Sequence, residues 1–110
     1  EVGVVKNLQS IGQQNIAVSI ITAGELLYGA LNKRELNRIK TDLEHLQLIH
    51  INEDIGRCFS DLMVKYSLSH RLSVPDGMIA ATALAEQLPL YTHNLKDFKF
   101  IADITLYREI

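Results

Sequence analysis

The sequence predicts an α/β fold in which a parallel β-sheet is flanked by helices. Apolar segments with strand character alternate with amphipathic helical patterns along most of the 110 residues, an order typical of parallel sheets covered by helices. The segment 16–21 is rich in β-branched residues and almost continuously apolar, as expected for a strand buried on both faces. A hydrophobic fraction of 47% suffices for a core, and the length predicts one domain over residues 1–110.

The first half of the chain combines the predicted first strand with three predicted helices. Apolar residues at helical spacing predict a helix over 2–13, ahead of the strand. Directly after the strand, Thr22 and Glu25 have the spacing of a capping box, so we expect Thr22 to cap a helix with Glu25 in its first turn. A second amphipathic pattern predicts a helix over 34–46.

The second half repeats this order of strand and helix. Residues 48–51 are a strand candidate, and apolar residues on one face predict a helix over 53–67. Ser73 and Pro75 open the next helix with Asp76 in its first turn, because proline is tolerated where its missing N–H would have no partner. The remaining predicted elements are extended segments at 90–92 and 104–107 and a polar turn over 93–97.

Four polar residues share one position in this pattern, because each lies at or just inside a helix start that follows a strand or loop. They are Glu25, Asp76, Asn94 and Asp97. In a parallel sheet such helix starts lie at the C-terminal edge of the strands, where open α/β folds bind ligands. Two carboxylates ~4 Å apart repel each other by about 4 kcal/mol at an effective dielectric constant near 20. A divalent cation removes this repulsion, so the pattern predicts a metal site suited to phosphodiester cleavage.

Each of these residues also has an interpretation that needs no ligand. Glu25 completes the predicted capping box, and Asp76 follows Ser73 at the same spacing. Asn94 is a good N-cap residue with Asp97 three positions later, and acids in a first helical turn interact favourably with the helix dipole. Spacing alone does not distinguish capping from metal binding.

Composition limits the partners of the chain. Its 11 basic and 13 acidic residues give a formal net charge of −2, so RNA binding would depend on local cations such as Lys96 and Lys99 beside the polar turn. The single Cys58 excludes an internal disulfide and fits a reducing compartment such as the cytoplasm. The longest apolar run is far shorter than the roughly 20 residues that span a membrane.

Three segments resemble motifs of the VapC-type PIN-domain toxins. Residues 18–30, VSIITAGELLYGA, resemble the second motif of that family; residues 75–83, PDGMIAATA, resemble the third; and residues 92–98, THNLKDF, resemble the fourth. The order of the motifs and the helices between them also fit. The resemblance therefore covers nearly the whole chain and implies the PIN-like three-layer fold, a parallel sheet flanked by helices.

The resemblance also implies a function. Such proteins are Mg²⁺- or Mn²⁺-dependent endoribonucleases of toxin–antitoxin pairs, which commonly form homodimers and are held inactive by a VapB-like antitoxin. By motif position, Glu25, Asp76 and Asn94 are expected to bind the ion, with Asp97 assisting them. Lys96 and Lys99 flank the fourth motif and are candidates to neutralise RNA phosphate.

The first motif of the family has no counterpart in this sequence. Family members begin with a strand that ends in an Asp-Thr-Asn-like turn and supplies the first metal-binding Asp. The helix predicted over 2–13 corresponds to the segment after that turn. We therefore expect an N-terminally truncated PIN-like domain that lacks the first strand and one acid.

Two other functions compete with the nuclease hypothesis. A truncated PIN domain without catalytic activity would act as an antitoxin-binding or self-associating module, through an exposed apolar surface or strand edge. A receiver-like phospho-acceptor domain shares the α/β alternation, but residues 49–52 offer no acceptor Asp at the mid-chain strand end. Stabilisation by Mn²⁺ that requires Asp76 would favour the nuclease over the binding module.

Overall fold

The computed structural model describes residues 16–92 and 94–107. The chain divides into two compact units, Glu1–His50 and Ile51–Ile110, and each is described by itself. The helix predicted over 2–13 lies outside the described residues.

The first unit contains a pair of parallel strands with two helices between them in sequence. Strand β1 spans Ala17–Ser19, helix α1 Ile20–Tyr28, helix α2 Lys33–Glu44 and strand β2 Gln47–Ile49. Strands β1 and β2 pair in parallel, with Ala17 opposite Gln47 and Ser19 opposite Ile49. Parallel strands need a crossover connection, which the two helices supply here. The structure therefore confirms the parallel sheet and both helices predicted for this segment.

The boundary between β1 and α1 differs from the prediction. Ser19 rather than Thr22 is the N-cap of α1: its Oγ accepts a hydrogen bond from the Thr22 backbone N–H at 3.0 Å and donates one to Thr22 Oγ1 at 2.9 Å. The helix consequently begins at Ile20, inside the predicted strand, because the Ser19 cap outweighs the strand propensity of the isoleucines that follow. Glu25 thus lies in the second turn of α1, and the capping-box prediction is wrong.

The second unit contains two long helices and a short 3₁₀ turn. Helix α3 spans Glu53–Tyr66, helix α4 spans Val74–Ala85, and the 3₁₀ turn spans Leu95–Asp97. The extended segments predicted at 90–92 and 104–107 are reduced to one isolated parallel bridge between Leu90 and Leu106. Among residues 16–92 and 94–107, no helix has the length and apolarity needed to cross a membrane.

Helices α3 and α4 pack closely against each other. Helix α3 contributes Ile55, Leu62 and Tyr66, and helix α4 contributes a run of small buried residues from Ala80 to Ala83. At Gly77 the two helices are so close that an added Cβ would lie 2.8 Å from Met63 Sδ. Small side chains on α4 allow this approach, and the packing fixes the position of the helix start that carries Asp76.

Candidate active site

The start of helix α4 is held by its N-cap. Ser73 Oγ accepts a hydrogen bond from the Asp76 backbone N–H at 3.2 Å, and the Gly77 N–H donates to the Ser73 carbonyl oxygen at 2.8 Å. Pro75 occupies the first turn, as predicted. The cap and the packing of Gly77 therefore fix the backbone on both sides of Asp76, which is half-buried.

Asp76 and Asp97 line the same cavity. Its volume is about 90 Å³, and Lys96 and Ser73 also line it. Asp97 reaches this position because the 3₁₀ turn closes with a hydrogen bond from its backbone N–H to the Asn94 carbonyl oxygen at 3.0 Å. Two acids that lie 21 positions apart in the sequence thus face one small space beside a lysine.

The environment of Asp76 disfavours its charged form. Burial is the main cause of the raised pKa of this carboxyl, a side-chain hydrogen bond with Ser73 acts in the opposite direction, and the charge of Asp97 raises the pKa further. The contribution of Asp97 identifies the two acids as neighbours of like charge. A cation between them would relieve this repulsion, so the pair fits a divalent metal ion.

In the absence of divalent ions, the Asp76→Asn variant is expected to be more stable than the wild type at neutral pH. The pKa of Asp76 is raised in the folded state. Below the unfolded-state pKa of ~3.9 the carboxyl is neutral in both states, and its full contribution to the free energy of unfolding is present. This contribution is lost as the pH rises through the higher pKa of the folded state. The amide does not ionise, so the advantage of the variant should disappear as the pH falls towards ~3.9. Thermal unfolding in EDTA between about pH 4 and pH 7 measures this, and a less stable variant at neutral pH would contradict the expectation.

The other residues predicted for the site are exposed. Asn94 precedes the 3₁₀ turn, but its side chain makes no capping hydrogen bond. Asn94 occupies the N-cap position of the turn, as predicted, but the Asp97 N–H donates to its backbone carbonyl oxygen and not to its side chain. Lys99 does not line the cavity around Asp76.

Glu25 belongs to the first unit, where it is exposed on α1. The described residues contain no group of three or more His, Cys, Asp or Glu side chains that could hold a metal ion by themselves. The second unit thus contributes a pair of acids, and a Mg²⁺ ion held by one or two carboxylates keeps several water ligands.

Four residues for which the sequence predicted no role also line the cavity. They are His70, Arg71, Leu72 and Phe100. The rings of His70 and Phe100 stack with their centroids 4.2 Å apart and an interplanar angle of 7°. No helical or strand periodicity links residue 100 to residue 70, so the sequence carries no signal of this contact.

Cys58 lies away from this cavity and is not a nucleophile. Burial raises the pKa of its thiol, and the charge of Asp61 raises it further. The thiol is therefore protonated at neutral pH, whereas nucleophilic cysteines are thiolates in electropositive surroundings.

Comparison with known proteins identifies the class to which this fold and cavity belong. The sequence profile of the PIN domain matches residues 3–103. The chain resembles a toxin–antitoxin complex from Klebsiella pneumoniae with a TM-score of 0.76 and 31% identity, covering 97% of this chain and 86% of that one. It resembles VapBC-1 from nontypeable Haemophilus influenzae with a TM-score of 0.78 and 25% identity, covering 96% and 84%. The chain belongs to the PIN domain family, and its predicted fold class is confirmed.

Within that family, the sequence is similar to proteins named as VapC ribonucleases. It is 32% identical over 106 residues to Ribonuclease VapC2 of Rickettsia felis, which covers 91% of this chain and 79% of that protein. The resemblance inferred from the three motifs is therefore confirmed.

Proposed function

We propose that this protein is a metal-dependent endoribonuclease of the VapC type, which cleaves phosphodiester bonds in RNA. The observation that carries the proposal is the pair of carboxylates, Asp76 and Asp97, that lines one small cavity beside Lys96. The similarity to VapC ribonucleases supports the choice of RNA as substrate. RNA cleavage by the purified protein with Mg²⁺ or Mn²⁺, against an EDTA control, tests it.

Mg²⁺ or Mn²⁺ is the cofactor that suits these donors. Hard divalent cations take oxygen ligands and often combine one or two carboxylates with water and substrate phosphate. Asp97 helps to raise the pKa of Asp76, and a bound cation would offset this repulsion. When bound, such an ion supplies Lewis-acid stabilisation of the phosphoryl oxygens and an activated water molecule.

The residues of the chain have distinct roles in this proposal. Asp76 and, by motif position, Glu25 would hold the ion as carboxylate ligands, and Asn94 would add a neutral oxygen. Asp97 would support Asp76 and orient a water molecule. Lys96 and Lys99 would neutralise the charge of RNA phosphate near the site. The participation of Glu25 requires both units to act as a single PIN-like domain.

We further propose that the protein works as a toxin with a VapB-like antitoxin partner in the cytoplasm, and that it forms a homodimer. Two solved relatives are a toxin–antitoxin complex and a VapBC complex. Large apolar side chains on the first unit support a protein partner, because Tyr28 and Leu31 are 93% and 86% exposed. These exposed side chains also favour the second candidate function, a non-catalytic module that binds an antitoxin or a second copy of the chain.

Millimolar Mn²⁺ is expected to raise the Tm of the wild-type protein and to leave that of Asp76→Asn unchanged. Ligand at ten times its Kd stabilises the folded state by about 1.4 kcal/mol, which corresponds to a shift of about 4 °C or more in a domain of this size. Thermal unfolding with and without Mn²⁺ measures the shift without reference to activity.

Asp61→Asn is the matched control for this measurement. Asp61 lies on the same unit but lines a different cavity, beside Cys58. The control should keep the full Mn²⁺ shift. An equal shift in the wild type and Asp76→Asn would rule out Asp76 as a metal ligand, whereas no shift in any of the three proteins would favour the binding module.

A further inference from the structure

The loop between α3 and α4 contains a residue in an unfavourable backbone conformation. Arg71 has φ = 54°, in the left-handed region where glycine is the usual residue and a Cβ is unfavourable. Its neighbours hold this conformation in place: the His70 and Leu72 N–H groups both donate to the Tyr66 carbonyl oxygen, at 3.1 and 3.3 Å. The fold thus requires a left-handed residue at position 71, whatever its side chain.

The side chain of Arg71 is exposed and lines the cavity that contains Asp76 and Asp97. Lys96 is the other cation in this lining. Among the described residues, the ion pairs involve only Arg57 with Glu53 and Asp54, so neither cation of the cavity is paired with its acids. Their charges therefore remain available to an anion that enters beside the carboxylates.

The size of the cavity selects the kind of anion. At about 90 Å³ it is far smaller than the pockets of ~300–1,000 Å³ that enclose a drug-sized ligand. It suits a phosphate group whose nucleosides remain outside. An arginine is well matched to such a group, because its planar guanidinium presents a fork of N–H donors to phosphate oxygens.

Aromatic contacts hold the loop around Arg71 in place. The ring of His70, the preceding residue, stacks on Phe100, and Phe100 meets Tyr66 edge-on with their centroids 5.1 Å apart. Tyr66 Oη accepts a hydrogen bond from the Ala102 N–H at 3.1 Å. These contacts tie the loop to helix α3, so the backbone from which Arg71 projects is fixed before any ligand arrives.

We propose that Arg71 is a substrate-binding residue that contacts an RNA phosphate at the cavity containing Asp76, and that an arginine is retained at this unfavourable backbone position for this contact. The inference rests on the proposed ribonuclease function and adds a residue to it. It has a consequence that a merely structural role would not have. Glycine at position 71 would adopt the left-handed conformation without strain and would remove the phosphate contact. Stability should therefore increase while RNA affinity decreases.

The experiment compares Arg71→Gly with the wild type in three measurements. The Tm of the variant should rise by about 4 °C. Its Kd for a single-stranded RNA oligonucleotide in EDTA should increase about tenfold, and the slope of log K against log salt should become shallower by about 0.7, the value for one phosphate contact on a single strand. In cleavage with Mn²⁺, KM should increase more than kcat changes.

Gln87→Gly is the matched control. Gln87 is exposed with φ = 56°, but it does not line the cavity, so its variant should gain stability and bind RNA as the wild type does. Arg71→Lys should bind RNA more tightly than Arg71→Gly but less tightly than the wild type, because lysine keeps the positive charge and lacks the paired N–H donors of the guanidinium. Should Arg71→Gly fold poorly, Arg71→Asn replaces it, since asparagine also tolerates the left-handed region.

The outcomes separate this inference from the proposed function. Loss of RNA affinity in Arg71→Gly without loss of stability, and with Gln87→Gly unaffected, supports the phosphate contact. If the wild type cleaves RNA and Arg71→Gly binds and cleaves it equally well, the role of Arg71 is refuted while the ribonuclease proposal stands. If the wild type neither binds nor cleaves RNA, both are refuted.

Discussion

Asp76→Asn is expected to lower kcat/KM for RNA cleavage by at least about 100-fold, as removal of a group that stabilises charge in the transition state does in other enzymes. The amide keeps the size of the carboxylate, and the N-cap of α4 uses the backbone N–H of residue 76 rather than its side chain. The helix start should therefore remain intact. The substitution removes the negative charge that, in our proposal, holds the metal ion. Cleavage of a labelled RNA with Mn²⁺ measures the loss.

Two comparisons make this result specific. Asp61→Asn removes an acid of the same unit that lines a different cavity, and it should leave cleavage unchanged. Asp97→Asn should reduce cleavage less than Asp76→Asn, because Asp97 is assigned a supporting role. Cleavage by Asp76→Asn at the wild-type rate would remove Asp76 from the site.

Ile55→Ala is expected to lower the free energy of unfolding by about 2–5 kcal/mol, the range for truncation of a large buried aliphatic side chain. Ile55 is 0% exposed and is the largest fully buried side chain among the described residues. The loss is a large part of the 5–15 kcal/mol that stabilises a typical domain. The backbone N–H of Ile55 donates a hydrogen bond to Asn52 Oδ1 at 2.9 Å. This bond does not involve the side chain, so the substitution should leave it intact. Urea unfolding followed by circular dichroism measures the difference.

Substitutions on the same helix provide the controls. Ile55→Val removes a single methylene and should cost about 0.5–1.5 kcal/mol. Val64 is 85% exposed, so Val64→Ala should change stability by less than about 0.5 kcal/mol. Equal destabilisation by Ile55→Ala and Val64→Ala would show that burial of Ile55 in the core of the second unit does not determine its contribution.

Helices α3 and α4 could be predicted from the sequence almost to their ends. The periodicity of α3 matches the face that it buries, and Ser73 and Pro75 mark the start of α4 by local chemistry alone. Local signals suffice where cap, periodicity and packing agree. The parallel pairing of β1 and β2 also follows from the order of strands and helices in the sequence.

Prediction failed where two local preferences compete. The segment after Ser19 has the isoleucines of a strand and the hydroxyl of a helix cap, and the cap prevails. At Asn94 the backbone carbonyl makes the hydrogen bond expected of the side chain. In neither case does the residue type alone indicate which local interaction forms in the folded chain.

The candidate site could be predicted only in part. Asp76 and Asp97 followed from the acids at helix starts, and the structure brings these two together in one cavity. Arg71 could not be found in this way. Glycine is the residue that usually indicates a left-handed backbone position in a sequence, and this position has an arginine. Its position depends on how the loop hydrogen-bonds to Tyr66, a property of the folded chain.

The lack of a side chain at Gly77 connects the helix start that carries Asp76 to the packing between α3 and α4. A methyl at residue 77 would lie 2.8 Å from Met63 Sδ and 3.3 Å from Phe59 Cε1, so the flexible thioether would have to move aside to keep the helix start in place. Met63 is therefore the side chain through which a substitution in the interior would reach Asp76, the residue next to Gly77 in the sequence.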